Sequence, residues 1–166
     1  MPSITPFLWY ETQAEEAATF YTSIFPNSSI VNVTRYGDTG PGPKGSVMTA
    51  VFKLDGKDFI ALNGGPAFTF TPATSFVVNC QTQAEIDHYW EKLSAGGRTD
   101  RCGWLVDKFG LSWQVVPAAL NKLISRDPAT ANRVMAALMA MAKLDIAALE
   151  AAANAEEPAD TAAHRR

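Results

Sequence analysis

Short segments in which apolar and polar residues alternate fill the first 117 residues and predict strands, and apolar residues at helical spacing interrupt them twice. The first part reads as strand, helix and three strands. The predicted strands span 4–10, 28–36, 46–54 and 58–63, and the helix ends at Phe25-Pro26. Asp55-Gly56 predicts a tight hairpin between the last two strands.

The second part repeats this order, with strands at 75–80, about 98–101, 102–107 and 111–116, and one helix that ends at Gly96-Gly97. The tetrapeptide TQAE stands before both helices, at 12–15 and 82–85, where its threonine and glutamate suit a capping box. The sequence therefore predicts an α+β fold of two βαβββ repeats, about 3–65 and about 74–117.

After residue 117 the pattern becomes helical. Three helices are predicted within about 118–153, and Asp127 and Asp145 are suited to cap two of them. Three methionines on these helices suit a soft binding surface or ordinary helix packing, and we prefer packing. They are Met135, Met139 and Met141. We interpret 1–153 as a single domain and expect the polar tail 154–166 to be disordered.

Composition excludes several classes of protein. Of 166 residues 47% are hydrophobic and 19% charged, with a net charge of −3, so we expect neither a nucleic-acid nor a membrane-surface partner. No apolar run approaches the roughly 20 residues that span a bilayer, and the N-terminus lacks the pattern of a signal peptide. Two cysteines without a CxxC spacing suit a reducing compartment, so we predict a cytoplasmic protein.

The segment CGWLVDKFGLSWQVVP (102–117) predicts a hairpin with the three-residue loop Lys108-Phe109-Gly110. In that register Trp104 lies opposite Gln114, and the two share one face of the sheet. Trp113 then points the other way, toward the helices.

This hairpin, FLWYETQAEEAATFY (7–21), LNGGPAF (62–68), VMAALMAMAKLDIAALEAA (134–152) and the doubled order of elements resemble one protein family. It is the PhnB-like branch of the vicinal-oxygen-chelate superfamily, which includes glyoxalases, bleomycin-resistance proteins and extradiol dioxygenases. The branch often carries the label of a demethylubiquinone methyltransferase. The resemblance covers about residues 3–153 and implies curved sheets that form bowls, usually completed by a homodimer.

Metal-dependent members of that superfamily hold a divalent ion with histidines and glutamates. The corresponding positions in this chain are Pro6, Ala61 or Asn63, Ser75 and Gln114. None supplies the expected ligand, and proline and serine complete no transition-metal shell. Of the two histidines, His88 lies on a predicted exposed helix and His164 in the tail. We therefore expect no metal.

The methyltransferase label has no support in the motifs, because a cofactor-binding glycine loop should join a strand to a helix. Here Asn63-Gly64-Gly65-Pro66 leads into AFTFTPAT, which is not helical. We interpret it as a structural turn, the alternative being a loop whose free amides hold an anion. We expect no cofactor.

Alternation along the strands, combined with the bowls of the family, predicts a set of ligand-binding side chains on the concave faces. They are Leu8, Tyr10, Phe59, Asn63, Ser75, Asn79, Trp104, Ser112 and Gln114. Phe7 and Trp9 are assigned to the core.

Three residues are candidates for a catalytic role. Cys102 has Arg98 and Arg101 nearby in the sequence, although a buried structural cysteine is the preferred interpretation. Asp107 is better explained as a cap of its own turn. The third candidate is Tyr10, as an acid–base group.

An aromatic and amide-lined pocket without ionisable groups favours binding over proton transfer. The first hypothesis is a metal-free protein that binds a small molecule. The second is a metal-independent lyase, isomerase or transferase acting on a small aromatic or planar substrate. The third is an interaction module that uses the methionine-bearing helices. We also predict a homodimer whose ligand sites involve both chains, because open sheet edges need pairing or cover.

Overall fold

The computed structural model describes residues 1–156, which form two four-stranded sheets, each with one helix, followed by three helices. The elements of the first repeat are β1 (Phe7–Tyr10), α1 (Ala14–Ile24), β2 (Ser29–Arg35), β3 (Val47–Leu54) and β4 (Lys57–Asn63). Those of the second are β5 (Ser75–Cys80), α2 (Gln83–Ser94), β6 (Arg98–Thr99), β7 (Trp104–Val106) and β8 (Ser112–Pro117). The C-terminal helices are α3 (Leu120–Ile124), α4 (Pro128–Met139) and α5 (Ile146–Asn154).

Both sheets have the same topology. The strand orders are β1-β4-β3-β2 and β5-β8-β7-β6. In each sheet the first strand lies parallel to the last strand of its repeat, and the other pairs are antiparallel. A parallel pair needs a crossover, which the helix of each repeat supplies. The predicted α+β fold of two βαβββ repeats is confirmed.

Both predicted hairpins form. Asp55 and Gly56 have φ angles of 49° and 73°, as a two-residue turn with two left-handed positions requires. In the second hairpin Gly110 has a φ of 90°, and the Asp107 amide donates to the Leu111 carbonyl at 2.8 Å. This closes a three-residue loop and sets Trp104 opposite Gln114, as predicted.

The two capping boxes have different outcomes. At α2, Thr82 Oγ1 accepts from the Glu85 amide at 3.2 Å, and Glu85 Oε2 accepts from the Gln81 amide at 2.7 Å. At α1 the predicted box is wrong, since the N-cap residue makes no side-chain bond. The Ala14 amide donates to Asn63 Oδ1 instead, at 2.7 Å. A side chain from β4 has replaced the local cap.

The C-terminal helices pack on the second repeat. Asp127 and Asp145 cap α4 and α5, as predicted, by accepting from the Thr130 and Ala148 amides at 2.8 Å. Gln83 of α2 holds the start of α5, because its side chain accepts from the Ile146 amide at 2.9 Å. These helices form a second apolar core with Val116 of β8.

Two of the three methionines, Met135 and Met139, are exposed, and Met141 packs against the second core. Of the predicted tail 154–166, Asn154 is the last residue of α5, and residues from 157 onward lie outside the described part of the chain. No helix between residues 1 and 156 is long and apolar enough to cross a membrane.

One core joins the two repeats, because the helix-facing sides of both sheets contribute to it. The predicted faces of β1 are therefore reversed. Leu8 and Tyr10 are buried in this core, whereas Phe7 is 56% exposed and Trp9 is half-buried on the opposite face. Since each sheet uses its helix-facing side for the shared core, the opposite face of each lies outside this core, and on the second sheet the C-terminal helices cover only the end that carries Val116.

Candidate functional site

The open face of the second sheet carries aromatic and amide side chains in one row. Val77, Gln114 and Trp104 are in register across β5, β8 and β7. The Gln114 amide nitrogen donates to Ser75 Oγ at 3.0 Å, which fixes the orientation of the glutamine. Val77 is 48% exposed, and Trp104 and Gln114 are half-buried. A planar molecule can pack against Trp104 in this row, and the Gln114 amide can form a hydrogen bond with the edge of that molecule.

Two further residues that were predicted to bind a ligand lie on this face, and their exposure differs from that of the row. Asn79 is exposed at the end of β5. Ser112 is buried, and its hydroxyl has no hydrogen-bond partner among the described residues.

The open face of the first sheet is more apolar. By register Trp9, Leu62 and Thr49 form one row across β1, β4 and β3, and Phe7 and Ile60 lie beside it. Trp9 Nε1 donates to the Gly65 carbonyl at 2.9 Å, so the ring is held in place.

This face is not evident from the sequence, because both sides of β1 and β4 carry apolar residues. The available signal was the Lys53–Asp58 pair, which lies at 2.5 Å across β3 and β4. Opposite charges in register mark the solvent side of a sheet, and Ile60 and Leu62 follow Asp58 at intervals of two.

Four predicted ligand-binding residues lie on the helix-facing side instead. Leu8 and Tyr10 are buried in the shared core. Phe59 stacks on Phe52 with ring centroids 5.4 Å apart. Asn63 caps α1 and also donates through Nδ2 to the Val47 carbonyl at 3.1 Å. For these four residues the predicted placement on a concave face is wrong.

Asp107 accepts four hydrogen bonds at the tip of the second hairpin. Its Oδ1 accepts from the Phe109 and Leu111 amides at 2.9 and 3.0 Å. Its Oδ2 accepts from the Tyr21 hydroxyl at 2.7 Å and from Trp113 Nε1 at 2.9 Å. Burial raises the pKa of Asp107, and these hydrogen bonds oppose the rise. Because four donors surround the buried carboxylate, the group acts as a link between α1 and the hairpin.

Tyr10 belongs to the same buried network. Its hydroxyl lies 3.0 Å from that of Tyr21, and burial raises the pKa of Tyr10. Cys102 is elsewhere, half-buried beside the C-terminal helices, with its amide donating to the Met141 carbonyl at 2.9 Å. The structure therefore brings Tyr10 and Asp107 together around Tyr21, away from both open faces, and leaves Cys102 apart.

The positions that the family resemblance assigns to metal ligands do not fit a divalent ion. Ser75 and Gln114 do meet, but they are hydrogen-bonded to each other. Asn63 is used in the cap of α1, and Pro6 and Ala61 have no donor atom in their side chains. Within residues 1–156 no three His, Cys, Asp or Glu side chains are grouped to hold a metal.

The glycine turn after β4 is occupied by packing. The Gly64 and Gly65 amides donate to the Tyr10 and Glu11 carbonyls, at 2.9 and 3.2 Å, so neither is free to hold an anion. A Cβ on Gly64 would lie 2.2 Å from the Trp9 ring. No helix follows within 64–74, which confirms the turn and does not fit the glycine loop of a nucleotide cofactor.

The repeated topology and the two open faces define a member of the vicinal-oxygen-chelate superfamily. The model of the family described as 3-demethylubiquinone-9 3-methyltransferase matches residues 2–116, and the chain belongs to this PhnB-like family. No curated protein matches the chain.

Solved structures agree with this placement. The PhnB protein from Bacillus cereus is 43% identical, covers 70% of this chain and 100% of its own, and superposes with a TM-score of 0.65. Protein PA1353 from Pseudomonas aeruginosa is 20% identical over 69% of this chain and 96% of its own, with a TM-score of 0.59. The fosfomycin resistance protein FosX from Listeria monocytogenes, complexed with Mn(II) and sulfate, is 15% identical. It covers 75% of this chain and 98% of its own, with a TM-score of 0.53, and so shares the fold.

Proposed function

We propose that this protein is a metal-free, cytoplasmic small-molecule-binding protein whose ligand lies on the open faces of its sheets. One observation carries the proposal. Both sheets use their helix-facing sides for the shared core, which leaves Trp9 and Trp104 half-buried on the opposite faces.

The chemistry of the second sheet's open face favours binding over catalysis. The outward positions of β5, β7 and β8 carry no ionisable side chain. A neutral planar ligand can stack on Trp104 and exchange hydrogen bonds with the Gln114 amide. Proton-transfer catalysis needs a general acid or base within reach of the substrate. The ionisable side chain in register with this face is Arg98 of the edge strand β6, and arginine is not a residue type that serves as a general acid or base.

The proposal includes a homodimer in which a second copy covers the open faces. β1 and β5 each pair on one side only, so both sheets have a free edge. Phe7 and Val77, which point outward on these edge strands, are 56% and 48% exposed. Edges and apolar side chains of this kind need cover, and two-fold association supplies it most simply.

Metal and methyl-transfer chemistry are not part of the proposal, because the side chains do not fit them. FosX is described with Mn(II), but here the ligand positions hold a hydrogen-bonded serine–glutamine pair and side chains without donors. The description of the family implies a methyl donor, yet the Gly64-Gly65 turn has its amides bonded to β1 and the residue after β1.

The experiment is a calorimetric titration with 1,4-naphthoquinone, a neutral planar probe. Trp104→Ala should weaken binding about tenfold, since a lost aromatic contact of about 1.4 kcal/mol corresponds to that factor. Trp90→Phe, a change on α2, is the matched control and should bind as the wild type does. Equal affinities for the wild type and Trp104→Ala would overturn the assignment of this face.

Light scattering over a wide dilution series tests the dimer separately. A mass of twice 17.9 kDa is expected at the higher concentrations. A mass of 17.9 kDa throughout would leave each face to be covered by its own chain.

A further inference from the structure

A cleft of about 750 Å³ lies between the two repeats, where the β3–β4 hairpin of the first meets β5 and α2 of the second. The rings that wall it belong to the helix-facing sides of the sheets, whereas Asp58, Val77 and Asn79 of the open faces reach its edge. Its volume is in the range that small organic ligands occupy.

Aromatic rings form the wall of this cleft. Phe76 of β5 lies edge-on to Phe59 of β4, with ring centroids 5.5 Å apart, and 5.7 Å from Trp113 of β8. At the end of α1, Phe25 stacks on Tyr89 of α2 at 5.1 Å and an interplanar angle of 16°. The pocket therefore offers aromatic surface from both repeats to one occupant.

The rim of the cleft is acidic. Three carboxylates line it against one lysine, Lys57. Asp58 is already paired with Lys53 at 2.5 Å, whereas Asp55 and Glu85 make no ion pair among the described residues. Both carboxylates are close enough to affect Tyr89 in the wall of the cleft. Burial raises the pKa of Tyr89, and the negative charges near it, including those of Glu85 and Asp55, raise this pKa further.

We propose that this cleft binds an organic ammonium ion with an aromatic body, such as an arylalkylamine. The ring faces attract a cation through their quadrupoles and pack against an aromatic body. The unpaired carboxylates of Asp55 and Glu85 supply the opposite charge at the entrance. This site differs from the open-face site around Trp104, because Trp104 and Gln114 do not line the cleft.

The test is calorimetry on the full chain with 2-phenylethylamine, which is charged at neutral pH, at low ionic strength. The matched neutral probe is 2-phenylethanol, and the anionic probe is 3-phenylpropanoate. The amine should bind at least tenfold more tightly than the alcohol, and the anion should not bind. A higher salt concentration should weaken the binding of the amine but not that of the alcohol, because salt screens the charge interaction.

Variants locate the site. Glu85→Gln and Asp55→Asn should each weaken amine binding severalfold and leave alcohol binding unchanged. Glutamine is tolerated in a capping box, so the first variant keeps the start of α2. Glu91→Gln, on the same helix but outside the cleft, is the control and should have no effect.

Trp104→Ala should also leave amine binding unchanged, which separates this proposal from the open-face site. Equal affinity for amine and alcohol would overturn the proposal. The proposal would also be wrong if both carboxylate variants bound the amine as tightly as the wild type does. It would be wrong as well if no amine bound at millimolar concentration, which is the result expected if a second copy of the chain fills the cleft.

Discussion

Replacing Trp113 by alanine removes a ring that joins the two repeats. The side chain is 4% exposed, stacks on Phe25 at 5.6 Å and lies 5.4 Å from the Tyr21 ring. Truncating a buried tryptophan costs about 3–5 kcal/mol. The change also removes the donor to Asp107 Oδ2, and a hydrogen bond to a charged group contributes about 1.5–3 kcal/mol. We therefore expect the free energy of unfolding to fall by at least about 4 kcal/mol.

Two matched variants separate the contributions. Trp113→Phe keeps an aromatic ring but lacks the N–H group, so it should cost about 1.5–3 kcal/mol. Trp104→Ala, on the open face, should cost about 1 kcal/mol. Urea denaturation followed by far-ultraviolet circular dichroism measures all three without depending on the altered fluorophores. Equal losses for Trp104→Ala and Trp113→Ala would refute the division of the hairpin into a core side and an open side.

Three further outcomes are expected. Asn63→Ala should cost about 1 kcal/mol in urea denaturation, since it removes the cap on the Ala14 amide, whereas Asn79→Ala at an exposed position should not. The raised pKa of Asp107 means that the folded state holds the carboxyl proton more tightly than the unfolded state does. The protonated Asp107 therefore contributes most to stability below the usual pKa of 3.8, and this contribution falls as the pH rises through the pKa of the folded state. The unfolding free energy of the wild type relative to Asp107→Asn should therefore decrease from pH 4 to pH 7, and an increase would contradict the assigned direction. Elemental analysis should find no stoichiometric zinc, nickel, manganese or iron, and a stoichiometric metal would end the metal-free proposal.

Turn chemistry is what made the hairpins predictable from the sequence. Asp55-Gly56 and Gly110 occupy left-handed positions that few other residues adopt, so each fixes a loop length and therefore a register. Once the second register is fixed, alternation puts Trp104 and Trp113 on opposite faces. The same reasoning holds for Asp127 and Asp145, whose caps depend only on the next three residues.

The faces of β1 were not predictable in the same way. Its four residues, Phe7 to Tyr10, are all apolar or aromatic, so alternation divides them into two sets without showing which set is buried. The choice is made by α1, whose residue Tyr21 bonds to the Tyr10 hydroxyl. The cap of α1 by Asn63 was missed for a similar reason, because the donor and the acceptor are 49 residues apart in sequence.

The same kind of long-range contact places two of the three catalytic candidates in a buried network. Asp107 and Tyr10 attract attention in the sequence because ionisable groups beside aromatic residues often occur in active sites. In the folded chain both side chains hydrogen-bond to Tyr21 of α1. Tyr21 and Asp107 are 86 residues apart, so neither spacing nor local turn chemistry connects Tyr21 to the hairpin. A buried carboxylate with four donors holds the two repeats in one arrangement, and that arrangement turns the faces with Trp9 and Trp104 outward. The titratable groups of the network are on the other side of the sheets, so Tyr10 and Asp107 do not reach a ligand bound at these faces.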